Sequence, residues 1–263
     1  MTLLLKLVLA PLLVTGSSLA GRRWGDRVTG VLVAFPIVAG PILLITCLEQ
    51  GVAFGARAAA ASLLGLVSLA VFAVVFAYAA RRWRWPAAVA VSWLATGIAD
   101  VVLAGQNLAA GWALTLVTVA IVTGRWLLTA VDEGSAGGGR LRPPWWDLPG
   151  RAAATATLVL FVTGIASTAG PVVTGILAPF PIATSVVAAF VHAQDGAAAV
   201  ARTMAGVLQG LAGFAVFCFL VSVLLVPAGV GGAFAVAIAG VLVSQAVVML
   251  ARGRRSAVKE PAR

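Results

Sequence analysis

Apolar runs about one bilayer long, separated by short polar breaks, recur from one end of the chain to the other. Nine runs stand out: roughly 2–20, 28–48, 56–80, 86–104, 108–129, 152–169, 171–192, 199–226 and 229–251. A helix needs about 20 mostly apolar residues to cross the hydrocarbon core. No strand-like alternation competes with this pattern, so the expected fold class is all-α, a polytopic membrane protein with about nine transmembrane helices. Two breaks are very short, near Gly105–Asn107 and near Gly170–Pro171. The one long polar stretch is DEGSAGGGRLRPPWWDLPG, from Asp132 to Gly150. Its GSAGGG part reads as flexible, and its PPWWDLP part as a segment lying on the headgroup surface.

Composition agrees. The 263 residues are 62% hydrophobic and 10% charged, against about 45–50% and about 25% in soluble domains. The chain has too little polar surface to cover a soluble globule, whereas a bilayer requires an apolar exterior.

The formal charge of +10 follows the same breaks. Arg22, Arg23 and Arg27 separate runs one and two, and Arg81, Arg82 and Arg84 separate three and four. Arg125, Arg140, Arg142 and Arg151 flank the long linker, Arg202 separates runs seven and eight, and five cations follow run nine. That places 16 positive residues on one side and only Lys6 and Arg57 on the other. Positive loops face the cytoplasm, so the N-terminus is expected outside and the C-terminus inside. Trp24, Trp83, Trp85, Trp126, Trp145 and Trp146 fall at the same cytoplasmic span ends, where an interfacial belt sits. The charge is therefore topological, and nucleic acid is not an expected partner. Residues 1–20 end in SSLAG like a secretory signal. Cleavage there would strand the following arginines outside, so this run is expected to remain as a span. The Arg, Ala and Gly bias points to a GC-rich bacterial genome and hence to the inner membrane.

The chain also repeats itself. VTGVLVAFPI at 28–37 matches VTGILAPFPI at 173–182, an offset of 145 residues that holds without a gap to about position 76. Thr29/Thr174, Gly30/Gly175, Phe35/Phe180, Pro36/Pro181, Gly51/Gly196, Arg57/Arg202, Gly65/Gly210 and Phe72/Phe217 are identical pairs. Shared apolar composition explains coincidences of Ala and Val. It does not align Thr-Gly, Phe-Pro and a loop Arg at one offset. The expected organisation is repeat 1 (1–105, four spans), a linking fifth span (106–130), a cytoplasmic linker (131–150), repeat 2 (151–252, four spans) and a basic cytoplasmic tail (253–263). An odd linking span turns the second copy over, the inverted-repeat plan of many secondary transporters, whose site lies where the copies meet near the midplane.

Candidate site residues follow from that plan. Pro36 and Pro181 each interrupt the hydrogen-bond ladder of a span, and the freed carbonyls need new partners. Kinked or broken helices are expected there, with Thr29, Gly30, Phe35, Pro36, Thr174, Gly175, Phe180 and Pro181, together with Thr184 and Ser185, along a substrate pathway. An acid inside a bilayer costs about 2.5–3.5 kcal/mol on the insertion scale and defaults to a functional role. That singles out Asp100, its repeat mate Gln245, and Gln209. Glu49 and Arg57 flank one turn, Asp195 and Arg202 the matching one, with Gln50 and Gln194 beside them. These read as gate or coupling residues, each side forming a carboxylate–arginine contact.

Enzyme chemistry is not expected. The chain has no Walker loop, Ser-His-Asp set, HExxH or CxxC. Cys47 and Cys218 lie inside apolar runs, and the single His192 cannot build a metal site. No cofactor is implied.

LLLKLVLAPLLVTGSSLAG followed by GVLVAFPIVAGPIL resembles the small GlpM-like bacterial inner-membrane proteins, over about the first 105 residues and more weakly over the second copy. The resemblance implies a duplicated version of such a unit. The layout also looks like the drug/metabolite transporter superfamily, whose members have two inverted five-helix halves; the tenth helix is missing here. The function expected from the sequence is a secondary transporter or exporter of a small solute, by alternating access of the two halves, with proton or cation coupling. The alternative is a non-transporting membrane scaffold or accessory protein in envelope biogenesis or lipid handling.

Overall fold

The structure is a computed structural model that describes residues 2–36, 39–104, 106, 108–132, 145–168 and 181–258, and within these the chain is all helix. Helix α1 (Thr2–Trp24) turns at Gly25 into α2 (Asp26–Val33). The apolar run 28–48 is divided: α2 stops at Val33, Pro36 sits in the break, and α3 (Ala39–Gln50) resumes. Proline disfavours helical backbone at the residue before it and donates no N–H, so a stop here follows from the sequence. Then come α4 (Val52–Ala79), α5 (Trp85–Ala104), α6 (Ala110–Asp132) and α7 (Asp147–Thr168).

The stretch Ile182–Val258 is helical except at Gly196 (φ 79°) and Gly229 (φ 67°). These divide it into α8 (182–195), α9 (197–228) and α10 (230–258). Gly51, between α3 and α4, also has positive φ, 89°. Positive φ is the region glycine enters at no steric cost, which accounts for the Gly51/Gly196 identity at the 145-residue offset.

Burial repeats at the same spacing. Leu63, Ala70, Phe72 and Ala73 of α4 are buried, and so are Leu208, Ala215, Phe217 and Cys218 of α9. Helix α5 buries Ala88, Ser92, Thr96 and Asp100, one face at four-residue spacing, while α10 buries Ala233, Ala237, Val241 and Gln245.

Helix α9 is the centre of the molecule. Val200, Met204, Leu208, Leu211, Val221 and Leu225 are fully buried, against α2, α4 and α6. Its contact with α2 is backbone to backbone. A Cβ on Gly30 would run into the Thr203 carbonyl, one on Gly206 into the Arg27 carbonyl, and one on Gly210 into the Val31 carbonyl. Small residues that let helix backbones meet are how membrane helices gain contact, since lipid gives no hydrophobic drive between them. Gly206→Leu is therefore expected to abolish recovery of monodisperse protein in size-exclusion chromatography. Gly97→Leu, where added atoms meet nothing, is expected to leave recovery unchanged.

Helix directions follow from which residues meet. The C-terminal end of α1 (Arg22) and the starts of α2 (Asp26), α7 (Asp147) and α9 (Arg202) gather at one end, joined by the end of α8 (Gln194). The end of α4 is there too, with the Phe76 ring 6.0 Å from the His192 ring. So α2 leaves this end and α8 arrives at it. Helix α3 ends at Gln50, beside the start of α4, so it runs toward the far end, opposite to α8, which occupies the equivalent positions at the 145-residue offset.

The outward faces of α5, α6 and α10 are apolar. Leu94, Ile98, Val101, Trp112, Trp126 and Leu242 are each more than half exposed. Four helical stretches among the described residues are long and apolar enough to cross a membrane: Val52–Ala79, Trp85–Leu103, Ala110–Thr129 and Ile182–Gln245. The last contains two of the expected runs, and the 28–48 run is split into pieces too short to cross alone.

Candidate functional site

Polar side chains gather in two places. The first is the helix-end cluster described above. Helix α7 starts at Asp147, five residues before its apolar run, so the carboxylate lies in the first turn, where a negative charge suits the helix dipole. It is almost wholly buried. Arg22 donates to Asp147 Oδ2 at 2.5 Å, Arg151 Nε to Oδ1 at 2.9 Å, and Gln194 Nε2 to Oδ1 at 2.5 Å. Arg151, itself buried, also reaches Gln194 Oε1 at 3.4 Å and lies over the Phe190 ring at 5.0 Å. Alongside, Arg202 holds Asp26 Oδ2 through Nε at 3.0 Å and Nη2 at 2.9 Å. The cluster ties α1, α2, α7, α8 and α9 together.

Burial works against the Asp147 charge. The Gln194 hydrogen bond, the Arg151 charge and the bonds from Arg22 and Arg151 outweigh it, and hold the carboxyl below the usual carboxylate range. Between these groups lies a half-open pocket of about 50 Å³, lined also by Ser18, Thr29, Val191 and Asp195. Pockets for small organic ligands run about 300–1,000 Å³, so this one holds water or a small ion and not a metabolite. Chemically, the cluster is a fastening.

The second place is the interior. Asp100 of α5 stands beside Ser68 of α4, and both are buried. Neither Asp100 Oδ2 nor Ser68 Oγ has a hydrogen-bond partner. Gln245 of α10 lies against Gly213 of α9, and its amide is likewise unpartnered at both atoms. Ser68 and Gly213 are 145 residues apart, as are Asp100 and Gln245, so the two contacts fall at equivalent positions of the 145-residue offset. Gln209 is buried with Oε1 unsatisfied. Buried polar atoms without partners are uncommon and need a reason.

The remaining candidates are dispersed. Thr29 is buried against Gly21, and Gly30 is used up in the α2–α9 contact. Phe35 is half-buried and Pro36 buried in the α2–α3 break. Pro181 is buried, its carbonyl accepting from the Ser185 N–H at 2.8 Å. Thr184 is buried, and Ser185 Oγ accepts from Trp93 Nε1 at 2.8 Å. Thr174, Gly175 and Phe180 lie outside the described residues. Asp195 lines the small pocket near Arg151.

The symmetric pair of carboxylate–arginine contacts is not found. Glu49 and Arg57 are both exposed and form no ion pair with each other among the described residues, while Arg202 takes Asp26. The position equivalent to Asp26 is Pro171, so the acid that holds Arg202 has no copy to hold Arg57.

From the sequence, Arg22 and Arg151 read only as topological charges and Asp147 only as part of the linker, and Asp26 is not singled out. One local signal existed: Asp147 and Arg151 are four residues apart, the spacing of a helical ion pair. Among the described residues no group of three or more His, Cys, Asp or Glu could hold a metal ion. Compared with family models, curated proteins and solved structures, the chain matches none.

Proposed function

We propose that this chain is a secondary transporter or exporter of a small solute in the bacterial inner membrane, working by alternating access between two inverted four-span repeats joined by a fifth span. In this reading there are nine crossings. The 28–48 run crosses as α2 and α3 together, and α8 completes the crossing that begins near 171. The helix-end cluster then faces the cytoplasm.

One observation supports the reading: α3 and α8, which occupy equivalent positions at the 145-residue offset, run in opposite directions, and the chain turns and buries the same positions 145 residues apart. Val52–Ala79 and 197–228 bury the same face, and Gly51 and Gly196 turn the chain alike. An inverted duplication has two equivalent packings, each the mirror in topology of the other. Among the described residues, the buried ion pairs fasten one end. The cytoplasmic end is closed by Asp147 and its three donors, and opening it must separate α1 and α8 from α7. The opposite end has Glu49, Gln50 and Arg57 at the equivalent turn, all exposed, and can part at lower cost.

The α2–α9 interlock favours a second reading, a scaffold with no solute path, because glycine-mediated backbone contact leaves no room for a ligand between those helices. Transport then has to use the space between repeats elsewhere, near Pro36 and the segment before Pro181. A proteoliposome screen separates the two. Small solutes are offered across an imposed pH gradient to vesicles with and without the protein. The expected result is protein-dependent movement of at least one solute class, lost in Asp100→Asn. No protein-dependent flux for any class, with either gradient direction, selects the scaffold.

A further inference from the structure

Asp100 and Gln245 occupy one position in the two copies, and only one of them can bind a proton. On helical rise, about 1.5 Å per residue, Ser68 is about 16 Å from the Ala79 end of α4 and Asp100 about 22 Å from the Trp85 end of α5. Both ends face the cytoplasm in the reading above. In a hydrocarbon core of about 30 Å this puts Ser68 near the midplane and Asp100 in the outer half, below the outer headgroups.

The surroundings decide what the site can take. Helix α5 presents Ser92, Thr96 and Asp100 down one buried face, but the Ser92 hydroxyl donates to the Ala88 carbonyl and that of Thr96 to the Ser92 carbonyl, both at 2.7 Å. Helix α4 contributes Ser68, unpartnered. A metal cation entering here would exchange its hydration shell for one carboxylate and one free hydroxyl. Cation sites in membranes replace that shell with rings of oxygens, and the described side chains around Asp100 do not supply one. A proton needs only the carboxyl. Among the described side chains no other charge faces it. Of the elements packed on α5, α4 carries Arg57, exposed at its far end, and 182–258 carries His192, Asp195 and Arg202 at the clustered end. The equivalent positions in α9 and α10 lack every one of these polar groups but one: Ala237 stands for Ser92, Val241 for Thr96 and Gly213 for Ser68, and an amide replaces the acid.

We propose that Asp100 beside Ser68 is a proton site within the membrane core, and that Gln245 beside Gly213 is its silent copy, held in the uncharged shape. The inference rests on the transporter reading for its purpose, since the proton taken up as Asp100–COOH and released as Asp100–COO⁻ is what would drive solute movement. One proton binds per molecule, because the second half cannot titrate.

The site is testable without any solute. Infrared spectra of the full-length protein in lipid nanodiscs are recorded across pH. The expected result is one carbonyl band of a protonated carboxyl, disappearing as pH rises, shifted by ¹³C-aspartate labelling of the unaltered protein and absent in Asp100→Asn. Gln245→Glu is expected to add a second band, and Ser68→Ala to move the midpoint of the first. The labelling experiment needs no variant to fold. No such band, a band insensitive to aspartate labelling, or a band that persists in Asp100→Asn overturns the proposal. So does loss of the band when sodium replaces choline at constant pH, which makes the site a cation site. A labelled band in a protein that moves no solute leaves the proton site standing and removes the transporter. Solute flux without the band does the reverse.

Discussion

Asp147→Ala is expected to destabilise the protein by about 3–5 kcal/mol, the cost of removing one partner from a buried ion pair. Arg151 has its side chain almost wholly buried and would keep only the Gln194 contact and the nearby charge of Asp195, whereas Arg22 is about one-third exposed and can turn to water. The loss therefore concentrates on Arg151. Cys47 and Cys218 are both buried, so reaction with a thiol-specific fluorescent dye on heating reports unfolding directly. The Asp147→Ala variant is expected to expose its thiols at markedly lower temperature than the unaltered protein. Adding Arg151→Met should recover a good part of the loss, because methionine keeps an apolar stem against Phe190 and no unpaired charge remains. Two neighbours that share one interaction are not additive. If the double variant is as unstable as the sum of the singles, the cluster does not hold the bundle through that pair.

The acid dependence of the same reporter has a definite sign. The folded carboxyl of Asp147 lies below its unfolded value, so its contribution is complete above about pH 4, the ordinary aspartate range, and is lost as pH falls through the folded value. Stability should be flat from neutral pH down to about 5 on this account and fall only in stronger acid. Asp147→Asn should lack that acid limb. The fastening thus stays charged over the pH range in which a transporter works, and cannot itself be the proton switch.

Much of this fold was legible because lipid imposes a coarse rule that apolar length satisfies, and helix runs, turn glycines and the Pro36 break follow from local chemistry. The Asp100–Gln245 relation was also legible, since a duplication writes it into one offset. What escaped was partnership over distance. Arg22 meets Asp147 across 125 residues and Arg202 meets Asp26 across 176, and no periodicity encodes either. Counting Arg22, Arg151 and Arg202 as topological charges put their helix ends on one side, where the structure also gathers them, but hid that all three are ion-paired, Arg22 and Arg151 to an acid read as linker and Arg202 to Asp26, which the sequence reading does not single out. PPWWDLP was read as lying on the headgroups. Trp145 and Trp146 are exposed as that requires, yet the next residue is the most heavily bonded acid in the molecule. The helix begins earlier than its apolar run, and hydropathy alone cannot see a first turn made of Asp, Leu, Pro and Gly.

Opposite labelling of Val52→Cys and Ala197→Cys is the second large effect expected, and it is all or none. The two residues are mates at the 145-residue offset, each following a positive-φ glycine, and Val52 is exposed while Ala197 is partly so. In a background with Cys47 and Cys218 changed to Ala, a membrane-impermeant maleimide added to intact cells should label Val52→Cys at once. Ala197→Cys should react only after the membrane is opened. Gln106→Cys and Ala228→Cys should behave like the first, Trp24→Cys and Arg84→Cys like the second, all four being exposed positions at helix breaks or ends. A duplication in which both copies face the same way must label positions 52 and 197 from one side, whatever the number of crossings. That outcome would remove alternating access as a mechanism, because exchanging the packings of two copies swaps the open face only when they are inverted. The opposite outcome makes the clustered end cytoplasmic and fixes which face Asp147 closes.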